Sequence, residues 1–235
     1  MSDAEKRVHW APLESNPQVL NDFIENLGVQ DSVCFGDVYG LDDELLSFVP
    51  RPCYAIIFLF PVNSVSNDQR ISIAQENCDI NSLPQDKIKP YFINQTISNA
   101  CGAIAVIHSI ANNLDYIKLD SGTLSKFIQK TKNLSSLDKG RALETDSDFA
   151  RSNSNSAVQG QTAAINPEEP VDLHFVSFVL NDGYLVELDG RLEKPLVHGI
   201  SDDLLADASK VIKKYMSLNP DEPNFSILSL SLSES

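Results

Sequence analysis

Apolar positions first fall into a helical rhythm at Val19, Leu20, Phe23, Ile24 and Leu27, one face of a 3.6-residue period. Asn16 before Pro17 supplies an N-cap with proline at the first helical position, and Gly28 ends the helix. Residues 41–49 predict a second, short helix stopped by Pro50 and Pro52. The longest unbroken apolar run, residues 55–60, has the length of a buried strand. Residues 63–89 are rich in Asn, Gln and Ser and predict a long surface excursion. After Cys101, the residues Ile104, Val106, Ile107, Ile110 and Ala111 predict a helix buried around most of its circumference. Two further helices with polar faces are predicted over 121–131 and 136–149. Residues 151–170, Ser-, Asn- and Gln-rich and closing on Pro167-Glu168-Glu169-Pro170, read as a long loop. Residues 171–180 and 184–188 flank Asn181-Asp182-Gly183, a hairpin signal. Ser201-Asp202-Asp203 opens a helix that closes on Lys213-Lys214, as the helix dipole favours. Residues 225–232 predict a terminal strand. Helices lead and strands close, which predicts an α+β fold with a mostly antiparallel sheet.

Composition narrows the class. In 235 residues, 42% are hydrophobic and 22% charged, which is globular rather than disordered. No apolar run nears the roughly 20 residues of a membrane helix, and the mixed-charge start, Met1 to Arg7, is not a secretory signal. A soluble protein of the cytoplasm, with the nucleus a second location, is expected. The net charge of −15 argues against nucleic acid, whose phosphates demand Lys and Arg. It suits a basic partner through steering, and equally well suits solubility alone. Cys34, Cys53, Cys78 and Cys101 lie far apart with no metal-ligand spacing, so free thiols and no structural zinc are expected.

Cys101 is the thiol whose position stands out. At the junction of an Asn/Ser-rich turn and a buried helix it occupies the first helical turn, where unpaired N–H groups and the dipole favour a thiolate. Gly102 leaves room for a carbonyl to approach. Taken alone, such a cysteine is also an ordinary small apolar residue in a helix. Gln95, in the extended entry to the turn, could donate to a tetrahedral oxyanion with the Cys101 N–H, or be a solvated loop residue. His174 sits in a strand, on the same side as Val176 and Phe178, where it is either a rigidly held base or a packed core histidine. Asp189, fifteen residues on, ends the partner strand, so the hairpin brings it toward the His174 ring. The other reading of Asp189 is a turn-initiating aspartate before Gly190.

Together these segments resemble a known family. The run Gln95-Thr96-Ile97-Ser98-Asn99-Ala100-Cys101-Gly102 is similar to the active-site signature of the ubiquitin C-terminal hydrolases. So are Asp172-Leu173-His174-Phe175 and Glu187-Leu188-Asp189-Gly190-Arg191. Trp10 to Pro17, Asp37-Val38-Tyr39-Gly40, Leu45-Leu46, Pro50-Arg51-Pro52 and His108 to Asn113 extend the resemblance nearly end to end. It implies the short single-domain branch, one domain over 1–235. The implied fold is papain-like, a central, mostly antiparallel sheet flanked by helices with a knotted backbone. It implies Cys101 as nucleophile, His174 as base, Asp189 as orienting acid and Gln95 as oxyanion donor. Glu14, Asp37 and Leu173 are implied to bind substrate, and 151–170 to be a crossover loop that limits leaving-group size. Cys34, Cys53 and Cys78 are read as non-catalytic, and His9, His108 and His198 as surface or structural histidines. The implied reaction is hydrolysis of amide, ester or thioester bonds after the C-terminal glycine of ubiquitin or a ubiquitin-like protein. No metal or organic cofactor is expected, nor a nucleic-acid or membrane partner, and the expected state is a monomer. The alternative is a catalytically silent ubiquitin-binding module of the same fold. The departures, in 63–89 and in the wording of 151–170, bear on substrate size rather than on the chemistry.

Overall fold

Alternation along one strand divides the molecule into two cores. In β2 (Cys53–Pro61), Ala55, Ile57 and Leu59 join one buried cluster, while Ile56, Phe58 and Phe60 join another. Successive side chains of a strand point to opposite faces, so both faces of this sheet must be covered. The structure, a computed structural model, describes residues 8–63, 65–78, 87–161 and 171–233.

The other strands are β1 (Val33–Asp37), β3 (Leu173–Asn181), β4 (Tyr184–Leu188), β5 (Leu196–Ile200) and β6 (Ser226–Leu232). They form one six-stranded sheet in the order β1-β6-β2-β3-β4-β5, with every neighbouring pair antiparallel. One face is covered by α1 (Pro17–Asn26), α4 (Cys101–Ala111), α5 (Thr123–Thr131), α6 (Ser136–Glu144) and α7 (Ser147–Ala157), which bury Leu20, Phe23, Ile107, Phe127, Leu143 and Phe149. The other is covered by α8 (Leu204–Ser217), with α3 (Asn67–Asn77) and the single turn α2 (Asp43–Leu46) beside it. A fully buried Phe, Leu or Ile contributes about 1.5–3 kcal/mol, so the central sheet is held mainly by its two apolar coats.

The predicted caps form as expected. Asn16 accepts from the Gln18 N–H at 2.9 Å, and Asp203 accepts from Ala206. Three expectations need correction. The supposed surface excursion 63–89 contains α3, started by a capping box in which Ser66 and Gln69 bond each other's backbone. That helix reads as polar because the deepest residue it buries is Arg70. Within 151–170, residues 151–157 belong to α7 rather than to a loop, and residues 162–170 lie outside the described residues. The Ser/Asn-rich sequence becomes helical because Phe149, Ser152, Asn153 and Ser156, at helical spacing, pack inward, with Asn153 Nδ2 on the Ala11 carbonyl at 2.8 Å. The one helix predicted over 136–149 is two, broken at Asp146, which caps the second.

Candidate active site

Cys101 is the first residue of α4, and Ala100 before it offers no side-chain cap. The N–H groups of this turn therefore keep hydrogen-bonding capacity beside the thiol, at the positive end of the helix dipole. The chain reaches this point through Asn99, whose φ of 61° is left-handed, a conformation Asn accepts better than most residues. Gly102 cannot readily be larger, since a Cβ there would lie 3.3 Å from Leu13 and from the Phe175 ring.

His174 is the second residue of β3, paired with Phe60 of β2. The β3–β4 register sets Ser177 opposite Leu188. One step further it sets Asp189 opposite Val176, diagonal to His174 on the same face. Asp189 Oδ1 is 2.7 Å from His174 Nε2 and also accepts the Arg191 N–H at 2.8 Å. With Nε2 committed, Nδ1 is the ring nitrogen left for the thiol, and it has no oxygen or nitrogen partner among the described residues.

The three groups shift one another's ionisation. Burial alone would push the Cys101 thiol up, but the hydrogen bond and charge of His174, helped by the Phe175 backbone and Arg191, bring it below its ordinary value. Burial alone would push His174 down, and its bonds to Asp189 and Cys101 raise it instead. Asp189, wholly buried, would be pushed up by desolvation, yet His174 and Arg70 hold it far below the usual carboxylate range. This favours a thiolate–imidazolium pair oriented by a carboxylate, the arrangement needed for nucleophilic attack on a carbonyl.

Gln95 lies in the extended stretch leading to the turn. Its N–H donates to the Gly190 carbonyl at 2.7 Å, which ties the stretch to the residue after Asp189. Its Nε2 donates to the Ile97 carbonyl at 2.9 Å, and Oε1 is buried without a partner among the described residues. One Nε2 hydrogen is thus engaged, and the second is not used in that bond. The stretch is pinned from behind by buried His108, whose Nε2 accepts the Ile93 N–H at 2.9 Å. Burial drives the His108 pKa down to about 3, keeping it a neutral acceptor.

Cys101 lines a cavity of about 300 Å³ with Leu13, Glu14, Asn99, Leu173 and Arg191. Glu14 and Leu173 are therefore brought to the thiol, and Glu14 Oε2 accepts the Gln161 N–H at 2.8 Å. Asp37 is not: it ends β1 exposed and lines a separate cavity with Tyr39, Lys213 and Phe225. Among the described residues no cluster of His, Cys, Asp or Glu could hold a metal ion, and no helix is long and apolar enough to cross a membrane.

The family model of ubiquitin carboxyl-terminal hydrolase, family 1, matches residues 10–217. The chain belongs to this family. Ubiquitin carboxyl-terminal hydrolase 3 of Arabidopsis thaliana is 40% identical over 234 residues, covering 98% of this chain and 97% of its own. A ubiquitin carboxyl-terminal hydrolase of Drosophila melanogaster is 39% identical, covering 96% and 98%. Isozyme L1 of Rattus norvegicus is 36% identical, covering 93% and 96%. The solved catalytic domain of Trichinella spiralis UCH37, bound to ubiquitin vinyl methyl ester, is similar with a TM-score of 0.76 at 23% identity, covering 96% of each chain. At that identity the likeness shows the fold.

Sequence reasoning missed several buried residues linked to Asp189. Arg70 of α3 donates to Asp189 Oδ2 at 2.7 Å, and Glu187, His198 and Tyr215 form a buried group behind it. The only prior signal for Arg70 was the Ser66–Gln69 capping box, which marks a helix where the composition suggests a loop.

Proposed function

We propose that this chain is a deubiquitinating thiol hydrolase that cleaves the bond after the C-terminal glycine of ubiquitin or a close relative. The observation that carries the reading is the Asp189–His174 hydrogen bond, in a group where His174 lowers the Cys101 thiol and that thiol opens on a cavity. Family membership and the ubiquitin ester held by the Trichinella relative support the choice of substrate.

The Cys101 thiolate attacks the glycine carbonyl, forming the C–S bond. The Cys101 N–H and the free hydrogen of Gln95 Nε2 hold the oxyanion, and the amide C–N bond breaks as His174 protonates the departing amine. Asp189 keeps Nε2 engaged, so Nδ1 is the proton-carrying position. Water, deprotonated by His174, then hydrolyses the thioester and returns the thiol. The cavity beside Cys101 supports small or unfolded leaving groups. Glu14 and Leu173 serve as substrate contacts near the thiol, and Asp37 as one distant from it. Four free cysteines fit a cytoplasmic location.

Ubiquitin vinyl methyl ester is the direct test. It should form a covalent adduct mapping to Cys101, and Cys101→Ala should abolish both the adduct and hydrolysis while ubiquitin still binds. Binding without any adduct in the unaltered protein would instead make the chain a silent ubiquitin-binding module.

A further inference from the structure

Asp189 is gripped on both oxygens, by groups from opposite directions. Oδ1 meets His174 and the Arg191 N–H, while Oδ2 accepts from Arg70 Nη1. Arg70, 1% exposed, also donates from Nε to Glu187 Oε1 at 2.9 Å and from Nη2 to the same oxygen, and Nη1 reaches Asn67 Oδ1 at 3.2 Å. The second Glu187 oxygen takes the Tyr215 hydroxyl at 2.6 Å and His198 Nε2 at 2.8 Å. The Arg70 guanidinium stands 5.3 Å from the centre of the Phe60 ring, and that ring meets His174 edge-on at 5.8 Å.

Glu187 and Asp189 are two strand positions apart, so they project from the same face, and neither has any exposed surface. Two such carboxylates repel unless a cation lies between them. A guanidinium suits this place because its fork is rigid and serves two acceptors at once, which an ammonium does not reproduce. Among the described residues, Asp68 of α3, exposed, lines a cavity with Arg70, His174 and Arg191. Arg191 follows β4, Cys101 and neutral His108 come from α4, His198 from β5 and Tyr215 from α8. Arg70 is thus the buried cation between the two carboxylates.

We propose that Arg70 is a positioning residue for hydrolysis: it fixes Asp189 so that Oδ1 orients His174, and its charge helps keep Cys101 a thiolate at neutral pH. The inference rests on the reading that Asp189 orients His174. Losing the cation leaves both carboxylates uncompensated near the pair, which disfavours a further negative charge on sulfur. The acid-side midpoint of thiol reactivity then moves to higher pH. Losing only the fork, with the charge retained, lets Asp189 swing and slows turnover without moving that midpoint.

The experiment compares Arg70→Gln, Arg70→Lys and Asp189→Ala with the unaltered chain. Iodoacetamide modification of Cys101 is followed against pH by peptide mass, which separates it from Cys34, Cys53 and Cys78. Values of kcat and KM are measured on a ubiquitin C-terminal ester, and urea unfolding reports the fold. Arg70→Gln should raise the acid-side midpoint by about half a unit or more and lower kcat about 10–100-fold, as for other outer partners that orient site ligands, with KM nearly unchanged. Arg70→Lys should keep the midpoint and still lower kcat. A folded Arg70→Gln or Arg70→Lys protein with unaltered kcat overturns the proposal, as does failure of both to fold, which would make Arg70 purely structural. Asp189→Ala separates the two levels: full activity there removes the underlying reading, whereas its loss beside normal Arg70 variants removes only this inference.

Discussion

Asn99 holds φ at 61° two residues before the thiol, and this turn aims the first N–H groups of α4. A non-glycine residue with a Cβ pays roughly 1–2 kcal/mol there, with Asn penalised least. If backbone conformation is what the site needs, Asn99→Gly should keep most of kcat, while Asn99→Ala should lower both kcat and the urea midpoint. Equal losses in the two variants would mean that the side chain matters instead. Gln95 makes a sharper case, because one Nε2 hydrogen is already given to Ile97. Gln95→Ala should lower kcat by roughly 10²–10³, the cost of one oxyanion donor, at constant KM. A change confined to KM would make it a substrate contact. Helix entry and hairpin register, being local, placed Cys101, His174 and Asp189 as candidates, but each had an ordinary second reading and only the resemblance of their segments to a family implied their roles. Arg70 was not among them, since an arginine in a polar run reads as solvated and only long-range pairing with Glu187 and Asp189 shows otherwise. The placement of Asp37 away from the thiol was equally invisible, being a matter of where β1 ends in the sheet.

The elements missed in the sequence share a weakness of local signal. Strand β1 buries only Val33 and Phe35 through its side chains and contains Gly36; β5 buries Leu196 and His198 and leaves Ile200 almost bare. Both are edge strands of five residues, where alternation is too brief to stand out. Helices α3 and α7 are polar by composition and are folded by partners distant in sequence, Glu187 and Asp189 for one and Ala11 for the other. The docking of α3 through ionised carboxylates has a pH signature. Burial would raise the Glu187 pKa, but Arg70, His198 and Tyr215 bring it from 4.5 down to about 2, and Asp189 is likewise depressed. The unfolded chain therefore binds protons that the folded chain refuses, and stability falls as pH drops through that interval. The contribution is complete above about 4.5 and is lost on the way to about 2. From pH 7 to pH 3 the urea midpoint should fall most steeply below about 4.5, on top of a loss beginning near 6.5 from buried His108, whose pKa is lowered to about 3, with hydrogen exchange in α3 rising early. A flat profile to pH 3 would show that the carboxylates do not secure the helix.

At the scale of the whole molecule, the α+β class and the antiparallel sheet were readable because β2, β3, β4 and β6 carry the strongest apolar runs, and these form the centre of the sheet. The net charge of −15 was readable as a number but not as a role. Its two readings, steering and solubility, separate in kinetics. If the partner's C-terminal tail is basic, the field of the chain raises the encounter rate and ions screen it over a Debye length of about 10 Å at 0.1 M. Asp37 is a good reporter because it is exposed and lines a cavity other than that of Cys101. Asp37→Lys should lower kcat/KM on a ubiquitin ester through KM, leave kcat near its original value, and flatten the salt dependence. Alkylation of Cys101 by neutral iodoacetamide, which has no tail to steer, should be nearly insensitive to both salt and Asp37→Lys. That control isolates encounter from chemistry. Should kcat/KM be constant from about 0.02 to 0.5 M salt, and Asp37→Lys bind ubiquitin as the unaltered chain does, the acidity serves solubility alone.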